Sequence, residues 1–178
     1  MKTVAQQLDE IVDDFINPFK ELLDSIGDYT IEIGVISKNS KRKQTSKFGI
    51  SNAELMFIHE NGSPLRNIPS RPVLDYTLQY ANKELLTPTL DRIYVGIINH
   101  NWQQEQIEKE LKKMCIRMQN YAQSMIRDRD PRLAPNAPAT IKAKGSDLPL
   151  LDTGQLSRSI TCVLTKKSSW VYLRILVR

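Results

Sequence analysis

The sequence predicts an α+β fold, with a small antiparallel β-sheet packed against several α-helices. Three observations predict it. One segment near residue 30 alternates apolar and polar residues in steps of two. Most of the chain after it repeats apolar residues in steps of three and four. Alternation then returns in the last 20 or so residues. Strands that do not alternate one-for-one with helices argue for α+β rather than a parallel α/β sheet.

The elements follow in order. Residues 3–26 read as a helix, with Val4, Leu8, Ile11, Phe15, Phe19, Leu22 and Ile26 on one stripe. Asn17-Pro18 interrupts it, because proline removes a backbone donor and crowds the preceding turn. Residues 29–37 read as a strand with Ile31, Ile33 and Val35 on one face. The basic stretch 38–48 reads as a long loop. Ser51-Asn52-Ala53-Glu54 is a capping box that opens a short helix, and Asn61-Gly62 closes it by a left-handed exit. Ile68-Pro69 requires an extended approach. Ser70 is then expected to cap a new helix with Pro72 in its first turn, and Leu74, Leu78, Ala81 and Leu85 form its apolar face.

A break is expected near Thr87-Pro88. The best-patterned helix lies near 102–128, capped by Asn101 or Gln104, with Ile107, Leu111, Met114, Met118, Tyr121 and Met125 facing the core. The proline-rich connector DPRLAPNAPATIKAKG follows, in which Asn136 is expected to cap a short helical turn ending at Gly145. Asp152 is expected to cap a short helix carrying Leu156 and Ile160. Segments 161–165 and 170–177 read as a C-terminal β-hairpin joined by Lys166-Lys167-Ser168-Ser169. The whole of 1–178 is expected to form one domain, with 38–48 as an insertion and helix 3–26 peripheral.

Composition limits the function classes. The chain has 178 residues, 40% of them hydrophobic, which suffices for a core. No apolar run approaches the ~20 residues that span a bilayer, so no membrane partner is expected. The N-terminus carries acids where a secretory leader has basic residues, so no such leader is expected. Cys115 and Cys162 read as free thiols in apolar surroundings, and two cysteines with two separated histidines make a zinc site a poor fit.

The net charge of +5 is uneven. Lys38, Lys41, Arg42, Lys43 and Lys47 fall in ten residues without an acid, and a second basic run extends from Lys112 to Lys144. Such asymmetry suits a polyanionic partner, and suits a solvated face equally well. The loop carries no interleaved aromatics, so it fits contact with a phosphate backbone rather than base stacking. Catalytic signals are thin. His59-Glu60 lacks a second histidine one helical turn away, and His100-Asn101 lacks a second catalytic histidine. Ser63 has no nucleophile elbow, and Thr153-Gly154 has no phosphate-cradling glycine pattern. The chain is not expected to be an enzyme, nor to hold a cofactor or metal.

Two segments carry a resemblance. FIHENGSPLRNIPSRPVLDYTL (57–78) and PNAPATIKAKGSDLPLLDTGQLSRSITCVL (135–164) occur in this order with roughly 60 residues between them. Together they resemble the paired signatures of bacteriophage virion-morphogenesis and tail-completion proteins, which join head and tail at the neck, Mu protein G among them. The sequence departs from that pattern at Val73, where relatives often carry phenylalanine, and in the length of the 38–47 insertion.

The resemblance implies a structural virion protein, assembled in the host cytoplasm, that forms a ring of about six copies around the DNA channel. Its partners would be itself, neighbouring neck, tail-terminator or tail-tube proteins, and passing double-stranded DNA without sequence preference. Glu60, Gly62, Ile68, Pro69, Arg71, Pro72, Asp152, Thr153 and Gly154 are the motif residues. Arg71 would pair with a carboxylate, Glu60 being one local choice, or reach a neighbouring subunit; it and Asp152 are equally readable as fasteners of the fold itself. Lys38, Lys41, Arg42, Lys43 and Lys47 would face DNA or an adjacent ring. The alternatives are a tail terminator, a head-completion stopper, or a basic DNA-binding or DNA-processing protein.

Overall fold

The computed structural model describes residues 24, 26–36, 49–166 and 173–177, the last five as backbone. Most of the expected helix 3–26 and the basic stretch 38–48 lie outside the described residues. The α+β expectation holds, with helices packed against a small sheet.

Strand β1 (Tyr29–Val35) is the centre of the sheet. Tyr29, Ile31, Ile33 and Val35 are fully buried, as the alternation predicts, while Thr30 and Glu32 are half-exposed. On one edge β2 (Ile160–Lys166) runs antiparallel, with Ile33 opposite Cys162. On the other edge β3 (Leu173–Val177) runs parallel, with Ile33 opposite Ile175. Both C-terminal strands are therefore present, but they do not form the expected hairpin. Each takes one edge of β1, so the sheet is mixed. A strand as apolar as β1 is best placed where neither edge is left open.

Helix α1 (Asn52–Asn61) begins with the expected capping box: Ser51 Oγ accepts from the Glu54 amide, and the Glu54 carboxylate accepts from the Ser51 amide. It ends at Gly62, whose φ of 75° is open to glycine at no steric cost. Helix α2 (Val73–Tyr80) continues without a break through a π-helical segment, Ala81–Leu86, into α3 (Thr87–His100). The expected break at Thr87-Pro88 is thus a widening. Pro88 offers no N–H to the preceding turn, and the π segment just before it takes up the mismatch.

Asn101 does not open the next helix but closes α3, in the left-handed region with φ of 50°. The Trp102 amide donates to the Gly96 carbonyl, and the indole packs where a Cβ on Gly96 would stand. The long helix α4 (Gln104–Arg127) is capped by Gln103 and Gln106 rather than by Asn101 or Gln104. Its buried face carries Ile107, Leu111, Met114, Met118 and Met125 as predicted. Tyr121 is half-buried and stacks on Tyr80 at 3.9 Å. α4 packs against β1 and β2. This brings Cys115 and Cys162 together as free thiols that share a hydrogen bond. That bond and burial push the Cys162 thiol up, and the same bond holds Cys115 below its ordinary value.

Two short helices complete the described residues. α5 (Pro138–Lys144) starts on proline after Ala137 and ends at Gly145 with φ of 70°. α6 (Gln155–Ser159) follows Gly154, whose φ is 73°. Asn136 does not cap α5, because its amide donates to the Leu148 carbonyl instead. No side chain caps α6, so Asp152 does not have its expected role, and Ile160 already belongs to β2.

Candidate functional site

The two segments that carry the resemblance meet. Their junction starts from the turn after α1. The amide and carbonyl of Ser63 pair with those of Ile68 at 2.8 and 3.0 Å. A single 3₁₀ turn, Pro64–Arg66, and Asn67 with φ of 50° close this small loop, and Leu65 stands fully exposed at its tip. Gly62 is boxed in beneath it. A Cβ there would sit 2.9 Å from the Ser70 amide nitrogen and 3.0 Å from the Ile68 oxygen.

After the exposed Pro69, the Arg71 amide donates to the His59 carbonyl at 2.6 Å, and the Ser70 hydroxyl donates to the Glu60 carbonyl at 2.7 Å. Ser70 is thus tied back to α1 and does not cap α2. Pro72 lies just before the helix, not in its first turn. With φ of −79° and ψ of 70° it is the centre of an inverse γ-turn closed by Val73 N–H to Arg71 O at 2.9 Å.

Glu60 does the capping. Its carboxylate accepts from the Leu74 amide at 3.1 Å and the Asp75 amide at 2.8 Å, satisfying donors that the first turn of α2 leaves unpaired. Burial pushes its carboxyl above the usual 4.5, and the two amides pull in the opposite direction. Glu60, one local choice as a partner for Arg71, does not take that role, and the two residues serve separate ones.

Arg71 is 5% exposed. Its Nε donates to the Ala134 carbonyl at 2.7 Å and its Nη2 to the Pro135 carbonyl at 2.8 Å, while Nη1 lies 3.5 Å from His59 Nδ1. The guanidinium thus ties the first segment to the proline-rich connector inside one chain. The carbonyls it holds lie 63 and 64 residues away in sequence. Burial lowers its pKa. Among the described residues, none of the ion pairs includes it.

Around this joint lies a cavity of about 400 Å³. His59 and Arg71 reach it from the first segment, and Thr140, Lys144, Asp152 and Gly154 from the second. Asp152 is exposed. The Thr153 carbonyl accepts from Arg158 Nη2, and a Cβ on Gly154 would meet Arg158 Nη1 at 2.7 Å. Lys144 Nζ donates to the Leu148 carbonyl. Burial lowers the pKa of Lys144, Asp152 raises it, and Arg71 lowers it further.

The wall of the cavity near Leu150 is held by an unusual backbone. Leu150 has φ of 60°, at the centre of a γ-turn closed by Leu151 N–H to Pro149 O at 2.7 Å. Such a conformation costs a non-glycine residue about 1–3 kcal/mol.

Sequence reasoning named Arg71, Asp152, Thr153 and Gly154 but missed His59, Thr140, Asn136 and Lys144 as members of the same cavity. The Thr140–Lys144 spacing of four, which puts both on one face of α5, was the available signal. Lys38, Lys41, Arg42, Lys43 and Lys47 lie outside the described residues. Among the described residues, no three His, Cys, Asp or Glu side chains are placed to hold a metal, and no helix is long and apolar enough to cross a membrane. Compared with protein-family models, curated proteins and solved structures, the chain matches none.

Proposed function

We propose that this chain is a structural component of a phage neck or head-proximal tail end, working as a ring around the DNA channel. The observation that carries the reading is the joint itself. The two segments with the resemblance are 56 residues apart in sequence, yet Arg71, His59 and the connector carbonyls of Ala134 and Pro135 bind them into one unit. A ring repeats one heterologous contact around an axis, and such a contact needs a surface of fixed, irregular shape.

Gly62, the Ser63–Ile68 loop, the Pro72 turn and the Glu60 cap supply a surface whose backbone is already ordered, which lowers the entropy lost on docking. In this reading the motif residues act by holding shape, and none is catalytic. The basic residues of 38–47 face the channel and attract DNA without reading bases.

The deciding experiment is deletion of the gene in the parent phage, together with imaging of particles that retain it. The expected result is separate heads and tails in the deletion, and ring density of this fold at the neck in the complete particle. Joined, infectious particles without the protein would overturn the reading.

A further inference from the structure

The cavity between the two motif segments has a chemistry that shape-holding alone does not use. Arg71 is buried with carbonyl partners, which satisfy donors but do not neutralise a cation. Lys144 stands on the same wall, and Asp152 is the acid that accompanies it. One guanidinium and one ammonium against one carboxylate leave an excess of a single cation facing about 400 Å³ of space. The remaining lining includes Leu55, Ala143, Leu150 and Leu156. Leu150 is kept there by a backbone conformation that most side chains avoid.

We infer that this cavity is a binding site for a singly charged carboxylate carried on an apolar stem, the chemistry of an acidic side chain or chain end of a partner protein. Arg71 Nε and Nη2 are held by the Ala134 and Pro135 carbonyls, which leaves Nη1 to donate to one carboxylate oxygen while the Lys144 ammonium meets the other. The net charge of one favours a monoanion over a phosphate dianion, which Asp152 would repel. The volume, about 400 Å³, is that of a small-molecule or side-chain pocket and is too small for a duplex. The inference does not depend on the phage assignment, because it follows from the charge and shape of the cavity alone.

The test is an NMR titration of the full chain with butyrate, with butyramide as the uncharged isostere and inorganic phosphate as the comparison anion. Butyrate is expected to saturate shifts at Arg71, Lys144 and Leu150, with little effect from butyramide and weaker binding of phosphate. Lys144→Gln, which removes a cation, is expected to weaken butyrate about tenfold, and Asp152→Asn to tighten it about fivefold. The opposite signs separate a binding role from a general loss of structure. Equal shifts with butyramide, tighter phosphate binding, no saturable shifts, or no change in either variant would overturn the assignment.

Discussion

At Arg71 a single side chain ties the first motif segment to the start of the second. Its guanidinium satisfies the Ala134 and Pro135 carbonyls, and lysine has neither the reach nor the fork to serve both. Arg71→Lys is expected to lower stability by about 1–3 kcal/mol through the loss of a part-buried hydrogen bond from a charged donor. Urea denaturation at several protein concentrations checks where the contact lies. A loss that does not vary with concentration is expected for a fastener within one chain, and a contact between subunits predicts a loss that does. Gly62 makes a second test at this scale. Its positive φ alone would cost an alanine about 1 kcal/mol, as it does at Gly145, where a Cβ meets nothing within 4 Å. At Gly62 the added carbon also presses on the backbone of Ile68 and Ser70. Gly62→Ala is therefore expected to cost about 3 kcal/mol against about 1 for Gly145→Ala, measured by the same denaturation.

Two elements depend on a residue outside their own span. Helix α2 begins after a proline that cannot cap it, and Glu60 from the end of α1 takes that role. The carboxyl is pushed above 4.5 by burial, so the folded chain holds this proton more tightly than the unfolded chain. The stability it contributes is fully present below the unfolded pKa and is lost as pH rises through the folded value. The lowered carboxyls of Glu54, Glu108, Glu110 and Asp130 act in the opposite sense, so the Glu60 contribution is read as a difference: the stability of wild type relative to Glu60→Gln, neutral throughout with an oxygen still able to accept, is expected to fall as pH rises from about 4.5. Thermal melts across the acid range compare the two. Helix α3 depends in the same way on Trp102, which lies beyond its end and packs on Gly96. Alanine in place of glycine inside a helix ordinarily adds about 1 kcal/mol of stability. At Gly96 the new carbon would stand 2.2 Å from the Trp102 ring, so the sign reverses. Gly96→Ala is expected to destabilise the chain and expose the indole, seen as a red shift in tryptophan emission. These couplings also explain what the sequence concealed. The Ser51–Glu54 box, the apolar face of α4 and the alternation of β1 are local patterns, and each was legible. The cap of α2, the closing of α3 by Asn101 and the place of Asn136 are set by partners 12 or more residues away or by the packing of Trp102, and spacing within one segment does not encode them.

The order of the sheet strands is a property of the whole molecule, which explains why a hairpin was the natural reading of the last two strands and the wrong one. Local alternation identifies strands but not their neighbours, and β1 competes for both edges with more buried apolar surface than β2 offers. The same limit applies to the candidate site. Arg71 and Asp152 were legible as motif residues, whereas the cavity that joins them to Lys144 exists only after β2 has paired with β1 and α6 has been brought against α1. Charge is the other property that acts at this scale. The chain is basic by five, and Lys38, Lys41, Arg42, Lys43 and Lys47 supply that excess from one short stretch. In a ring these five repeat in every copy, so a channel would be lined by many cations with no base-reading groups. Such contacts release counterions, and each phosphate neutralised contributes a slope of about 0.9 in the logarithm of affinity against the logarithm of salt. Replacing all five by serine changes no residue of the Arg71 joint, so the melting temperature of the isolated chain is expected to stay within about 2 °C of wild type. Complementation of a deleted phage with this variant is expected to yield fewer DNA-filled particles, and those that form are expected to lose DNA at a lower salt concentration than wild type. Unchanged particle yield and unchanged DNA retention across salt would remove the channel role from these residues while leaving the joint and its carboxylate site as they stand.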